Sequence, residues 1–358
     1  MKQPGFILIL TLIMLSISTI VVTQIFFQGH LYNMFIPISI EKEKARQLAL
    51  SGVSVALSQL SLNDSRFFKS EDDKKKSPQE EKAFRSKALL KMLLVVQGRW
   101  QDFVLTPEAD GIDAHLSICI TCEDGKLNLN KMYDFKKHEF VKIPQGSMQE
   151  FFVFLGNASK KYTKDRNMFD DVEEFLKKRE TSFIDVTQLF QGKKLEDFKD
   201  YLFYSPVENP GFLHTESKVQ KTPKIYLADL FTVDTLSVKI NPWVLSPSLQ
   251  LLFGINRRVV MNEKDFEKEI ADMIEKVSLE NISWQKDWDI YLKPLYKIDF
   301  QSIPKEIQPF LSTKFEPRLF SVLCYGKVGR VTQKLLAVLE RNALAKGESI
   351  FVKKIFWL

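Results

Sequence analysis

Cysteine is scarce in this 358-residue chain, with only Cys119, Cys122 and Cys324 present. An odd number cannot pair completely within one chain, and so few thiols exclude a disulfide scaffold. Cys119 and Cys122 form a Cys-x-x-Cys within "HLSICITCEDG". Extended residues three apart lie about 10 Å from each other and point to opposite faces, too far apart to share one disulfide or one metal ion. They read as small side chains on a strand. Histidine is equally thin: His30, His115, His138 and His214 stand apart, without the spacing a zinc site needs. No GxxxxGKS/T, GxSxG or HExxH occurs, and no nucleophile stands beside a base at a recognisable spacing. The residues therefore point away from an enzyme.

Concentrated charge is missing too. The net charge of +6 is spread along the chain with acidic residues interleaved, and no arginine-rich stripe supports nucleic-acid binding. The acidic cluster Asp170, Asp171, Glu173 and Glu174 reads as the solvated face of a helix. At roughly 150 residues per domain the length allows two or three folded units and a sizeable core.

What the chain does have is a long apolar run near its start, "GFILILTLIMLSISTIVVTQIFF", without a charge from Phe6 to Phe27. A helix of about 22 residues, at about 1.5 Å per residue, just crosses a hydrocarbon core of about 30 Å. A secretory signal would have a shorter apolar region and a small-x-small cleavage site, which "TQIFFQGH" does not provide. Thr11, Ser16, Ser18, Thr19 and Thr23 can bond back to their own helix backbone, so the span tolerates them. Lys2 on one side competes with Lys42, Lys44 and Arg46 on the other, so charge alone does not orient the span. Gly29 and Pro37 are expected to bend or interrupt the helix.

Beyond them, "EKEKARQLALSGVSVALSQL" places Ala45, Leu48, Ala49, Gly52, Val53, Ala56, Leu57 and Leu60 at three-and-four spacing, an amphipathic helix packed on a sheet. A charged loop over 61–82 and a short helix over 83–96 are expected next. "AHLSICITCEDGKLNLN" alternates apolar and polar residues on both sides of Asp124-Gly125, which predicts an antiparallel hairpin. Helical spacing marks "SMQEFFVFLGNA", "MFDDVEEFLKKR" and "DVTQLFQGKKLEDFKDYLFY". Ser246, Pro247 and Gly254 cap, start and end a short helix. "RLFSVLCYGKVGRVTQKLLAVLERN" reads as a closing two-stranded hairpin.

A short leader with one lysine, Gly5 immediately before Phe6, and then an apolar helix resembles the prepilin pattern of type IV pilins and of the pseudopilins of type II secretion. The resemblance implies cleavage after Gly5 by a prepilin peptidase and N-methylation of Phe6. The fifth mature position, a glutamate in most pilin-like subunits, is Leu10. In a fibre core that glutamate pairs the buried terminal ammonium of a neighbour, because a lone buried charge is very costly. Leucine cannot do so, which suits a subunit with no neighbour above it. The family member without the glutamate is the large minor pseudopilin K of the general secretion pathway. "EDGKLNLNKM", with Gly125, Lys126, Asn128 and Asn130, is similar to a segment of that family. So are "KINPW", where Asn241 is kept but Lys239 and Pro242-Trp243 depart from the family pattern, and the closing turn Val328-Gly329-Arg330 with Arg341. Val172 to Leu176 correspond loosely to a further family segment.

The resemblance implies an α+β fold: a long N-terminal transmembrane and amphipathic helix, and a pilin-like antiparallel sheet head with a largely helical inserted domain. The expected layout is a leader over 1–5, a transmembrane helix over 6–28 and the first part of the head over 29–143. A helical insertion over 144–235 and the second part of the head over 236–358 complete it. The implied role is capping and nucleating a secretion pseudopilus. Its implied partners are other minor and major pseudopilins, prepilin peptidase, the inner-membrane secretion platform and membrane lipid. The N-terminus would be cytoplasmic and the head periplasmic, on the inner membrane. Family members bind calcium in the head; no ligand set can be mapped here, so calcium and the metal residues stay open. The other readings are a minor pilin of a type IV pilus or competence system, and a signal-anchored periplasmic binding protein or enzyme.

Overall fold

The computed structural model describes residues 4–62, 93, 95–143, 146–163, 166–196, 198, 224–255, 268, 282–313, 317–342 and 349–358. Ser61 and Leu62 of the expected loop over 61–82 are helical instead; the rest of that loop, most of the helix over 83–96 and the end of "FKDYLFY" lie outside these residues.

Helix α1 runs from Pro4 to Leu62 as one element of 59 residues, with Pro37 inside it. The expected interruption at Gly29 and Pro37 is therefore corrected. A proline removes one backbone donor and clashes with one turn, and long regular helix on both sides carries the chain through. The last third of α1 buries Ala45, Ala49, Val53, Ala56 and Leu60, the stripe read from the sequence.

That stripe lies on one antiparallel sheet. Its strands are β1 (Gln97–Leu105), β2 (Ala114–Cys122), β7 (Leu319–Val328), β8 (Val331–Asn342) and β9 (Ser349–Trp357), in the spatial order β1-β2-β7-β8-β9. Between β2 and β7 lie β3 (Leu127–Asn128), which pairs in parallel with β6 (Phe231–Thr232), and the small antiparallel pair β4 (Tyr133–Asp134) and β5 (Glu139–Phe140). Side chains alternate across a strand. Ile118, Ile120, Val322, Cys324, Leu335, Ala337 and Leu339 accordingly join the α1 core, while Cys119, Leu323, Tyr325 and Leu336 form a second cluster with Trp100 and Tyr226 on the other face.

Two sequence expectations change here. Asp124-Gly125 is not a hairpin turn: Glu123–Gly125 form a 3₁₀ turn, and the strand after it pairs in parallel with β6 instead of folding back on β2. The closing hairpin exists, with Gly329 in the left-handed region (φ +54°) at its turn, but β9 adds a third strand to it.

The chain from 123 to 318 leaves the sheet after Cys122 and re-enters at Leu319, beside each other at one end, since Cys122 pairs with Phe320 and Ala114 with Val328. Its helices include Met148–Lys160, Met168–Lys177, Pro247–Leu252 and Trp284–Tyr291. The start of "DVTQLFQ" is a 3₁₀ segment, Val186–Gln191, capped by Asp185, where an α-helix was expected. Aromatic rings fill this block: Phe151 stacks on Phe310 with centroids 4.7 Å apart, and Trp243 packs on Trp284 and Tyr291.

Candidate functional site

Three parts of the chain carry the functional reading: the apolar half of α1, the seam between α1 and the sheet, and the segment around Gly125 and Asn128.

Within the described residues, α1 is long and apolar enough to cross a membrane, and no part of its apolar window is buried. Leu12, Leu15, Ile20, Ile25, Phe26 and Phe27 are all exposed, and the exposure continues through Tyr32, Phe35, Ile36, Ile38 and Ile40. The hydroxyls behave as a helix in lipid requires. Ser16 donates to the Leu12 carbonyl at 2.8 Å, Thr19 to Leu15 at 2.8 Å and Thr23 to Thr19 at 2.7 Å. Gly5, Phe6 and Leu10 lie in the first turns of this helix.

At the seam, small residues let backbone approach backbone. A Cβ on Gly326 of β7 would lie 2.3 Å from the Ala45 carbonyl oxygen and 2.8 Å from the Ala49 nitrogen. One on Gly52 would meet the Cys324 sulfur at 2.8 Å. At the β7–β8 turn, Gly329 sits against the Glu41 carboxylate, which accepts the Arg330 N–H at 3.3 Å. At the far end of the seam Gln59 and Gln101 exchange amide hydrogen bonds, at 2.5 and 3.0 Å. The sheet is thus held along α1 from Glu41 to Gln59. Gly52 belongs to the stripe that the sequence places on a sheet, whereas Gly326 and the Gln59–Gln101 pair are not legible there, since nothing in a lone glycine tells which backbone approaches it.

The structure brings Gly125, Lys126, Asn128, Asn130 and Asn241 into one knot where the inserted block joins the sheet. Asn241 donates its N–H to the Asp124 carbonyl at 2.7 Å, and the Gly125 carbonyl accepts from Ser246 at 3.2 Å. A Cβ on Gly125 would sit 1.8 Å from the Val244 carbonyl oxygen, so only glycine fits. Asn128 caps the short helix Leu129–Met132 by accepting from the N–H groups of Asn130 (2.9 Å) and Lys131 (3.2 Å), while its amide donates to the Thr235 carbonyl and hydroxyl. Asn130 exchanges hydrogen bonds with the Phe183 backbone at 2.7 and 2.9 Å and donates to Val233. The Asn241 side chain caps the next turn through Trp243. Lys126 is buried and paired with Glu123, and it also donates to the Ser321 hydroxyl, which shares a hydrogen bond with Thr121. Gly329 stands apart from this group, at the α1 end of the sheet.

Asp124 accepts the N–H groups of Arg318 (2.8 Å) and Leu319 (3.3 Å), clamping the entry of β7 to the exit of β2. Burial pushes its carboxyl above the usual range, against those two hydrogen bonds. Burial likewise raises the thiols of Cys119 and Cys122, and pushes Cys324 up to about 12. All three are free and buried. Cys119 and Cys122 point to opposite faces of β2, as the spacing implied.

A cavity of about 40 Å³ separates the far face of the sheet from the inserted block, lined among others by Lys126, Glu123, Thr121, Ser321, Asp229 and Thr232. It has room for a few waters. Asp171, Glu173 and Glu174 are committed to ion pairs, Asp171 with Arg166, Glu173 with Lys177, and Glu174 with Lys178 and Lys194, which hold the Glu174 carboxyl down to about 2. Among the described residues no group of three or more His, Cys, Asp or Glu is arranged to hold a metal ion.

No protein-family model matches the chain, and no curated protein matches it. The fold is similar to a chain of the crystal structure of the GspK-GspI-GspJ complex from the type 2 secretion system of enterotoxigenic Escherichia coli. The identity is 11%, the TM-score is 0.42, and the match covers 90% of this chain and 98% of that one.

Proposed function

We propose that this chain is a non-enzymatic assembly protein: a minor pseudopilin K of a type II secretion system, cut after Gly5, methylated on Phe6 and placed at the tip of the pseudopilus. The observation that carries the reading is the position of the bulk. The block from 123 to 318 is inserted at the Cys122–Leu319 end of the sheet, whereas the unpartnered apolar helix enters at the other end, beside Gly329 and Glu41. A head enlarged at the end away from its anchor suits a terminal position and would obstruct stacking in the body of a fibre. Leu10 agrees, because it offers no carboxylate to a neighbour's terminal ammonium.

In this account α1 holds the subunit in the inner membrane, N-terminus cytoplasmic and head periplasmic, until smaller minor pseudopilins join it. Its apolar surface then packs with theirs, and major subunits add from below on the secretion platform. The Gly125–Asn128–Asn241 knot keeps the enlarged head rigid on the sheet. Capture of the full chain from solubilised membranes tests the assignment. Co-purification of smaller single-span pseudopilins supports it; recovery of none, or of the minor pilins of a pilus system, overturns it.

A further inference from the structure

We propose that one corner of the base of the head, formed by the C-terminal end of β9 and the adjoining side of α1, rests on an anionic lipid surface. The proposal rests on the reading that α1 spans a membrane. No Asp, Glu, Lys or Arg lies between Lys2 and Glu41. From Phe6 to Ile40 that helix is about 52 Å long at about 1.5 Å per residue, against a hydrocarbon core of about 30 Å and about 40–45 Å with headgroups. Upright from Phe6, the run outlasts both headgroup layers and would hold Ile38 and Ile40 in water, 49% and 50% exposed on the isolated chain. A tilt near the upper end of the observed range, about 40°, places the whole run within the core and headgroup layers. The head then has no spacer, because Glu41 already touches Gly329 and Arg330, and a tilted head must lower one corner of its base.

The two corners differ. At the β1–β2 corner the connecting turn carries Glu108, Asp110 and Asp113, all exposed. At the opposite corner Trp357 and Leu358 remain 39% and 42% exposed beside α1. Arg46 lies over the Trp357 ring at 4.9 Å, its ion pair with Glu43 being long at 3.9 Å and solvent-exposed. Arg330 is exposed at the neighbouring turn, while Lys334, exposed on the neighbouring strand, lies over the Tyr325 ring at 5.2 Å on the sheet face away from α1. A tryptophan with a cation stacked on it is a side-chain set that settles at a headgroup layer, and anionic lipid attracts this corner while repelling the other. The acidic corner accordingly faces water.

The test uses the full chain in vesicles of phosphatidylethanolamine and phosphatidylglycerol. A spin label is placed at Leu358→Cys, which leaves Trp357 intact, or at Asp110→Cys; the native thiols are buried, and the unsubstituted chain serves as the labelling control. Collision with a water-soluble nickel chelate is expected to be several-fold weaker at 358 than at 110. Replacing phosphatidylglycerol by phosphatidylcholine should raise the water-exposed fraction at 358 about fivefold, the effect of roughly one surface cation. Equal accessibility at the two positions with the chain inserted overturns the proposal. Failure of the chain to insert at all overturns the spanning reading instead.

Discussion

Gly326 and Ala45 are in direct backbone contact: a Cβ on the glycine would lie 2.3 Å from the alanine carbonyl oxygen. This contact fixes how closely α1 lies on the sheet, and through α1 how the head is joined to the apolar half of that helix. Because the obstructing atoms are backbone, they cannot rotate away. Gly326→Ala is expected to destabilise the head by about 2–3 kcal/mol, read as a lowered denaturant midpoint. An unchanged midpoint would mean that helix and sheet separate freely.

The Lys126–Glu123 pair makes a sharper case, because both side chains are buried. Lys126→Met leaves a buried carboxylate without its cation and should cost about 3–5 kcal/mol. The double change with Glu123→Leu removes both charges and should recover much of that loss. Thermal unfolding of the two single and the double variants forms the cycle. Additive losses would contradict a direct pairing.

Asp124 sets a pH dependence. Its folded carboxyl titrates above the unfolded value of 3.8 because of burial, so between the two the folded state holds more protons than the unfolded one. Stability from this group is then full below the unfolded value and declines as pH rises through the raised folded value. Asp124→Asn keeps an acceptor for Arg318 and Leu319 without the charge, so it should gain on the native protein as pH rises through that window. Melting temperatures of both proteins across pH 3 to 8 check the sign; a difference that shrinks with rising pH contradicts it.

The thiols should be silent. Thiolate is the reactive form, and burial holds Cys119, Cys122 and Cys324 protonated. Maleimide at neutral pH should label none of them in the native chain and all three after denaturation, counted by intact mass. Fast native labelling would show that the sheet opens.

Much of the fold is legible in the residues where burial has a period. The Ala45 to Leu60 stripe and the alternation in β7 and β8 map onto the core faces directly, and Ser246 caps its helix through the Leu249 N–H as the Ser-Pro pair implied. What escaped depends on contacts distant in sequence. Asp124-Gly125 looks like a turn, but its glycine is required by the Val244 carbonyl more than a hundred residues on. Pro37 looks like a break, yet local preference yields to a long helix. In the sequence the asparagines of the Gly125 segment carry only a family resemblance; the structure shows their physical work as caps and cross-links. Leu10 acts, in the proposed account, only between subunits, so a single chain displays nothing of its role.

Retention of α1 as a fibre helix after removal of a short leader is read from the mass of the N-terminal peptide of the protein purified from its native membrane. The purified chain is expected to begin at N-methylated Phe6. A chain that retains Met1, or one cut beyond Phe27, would contradict it.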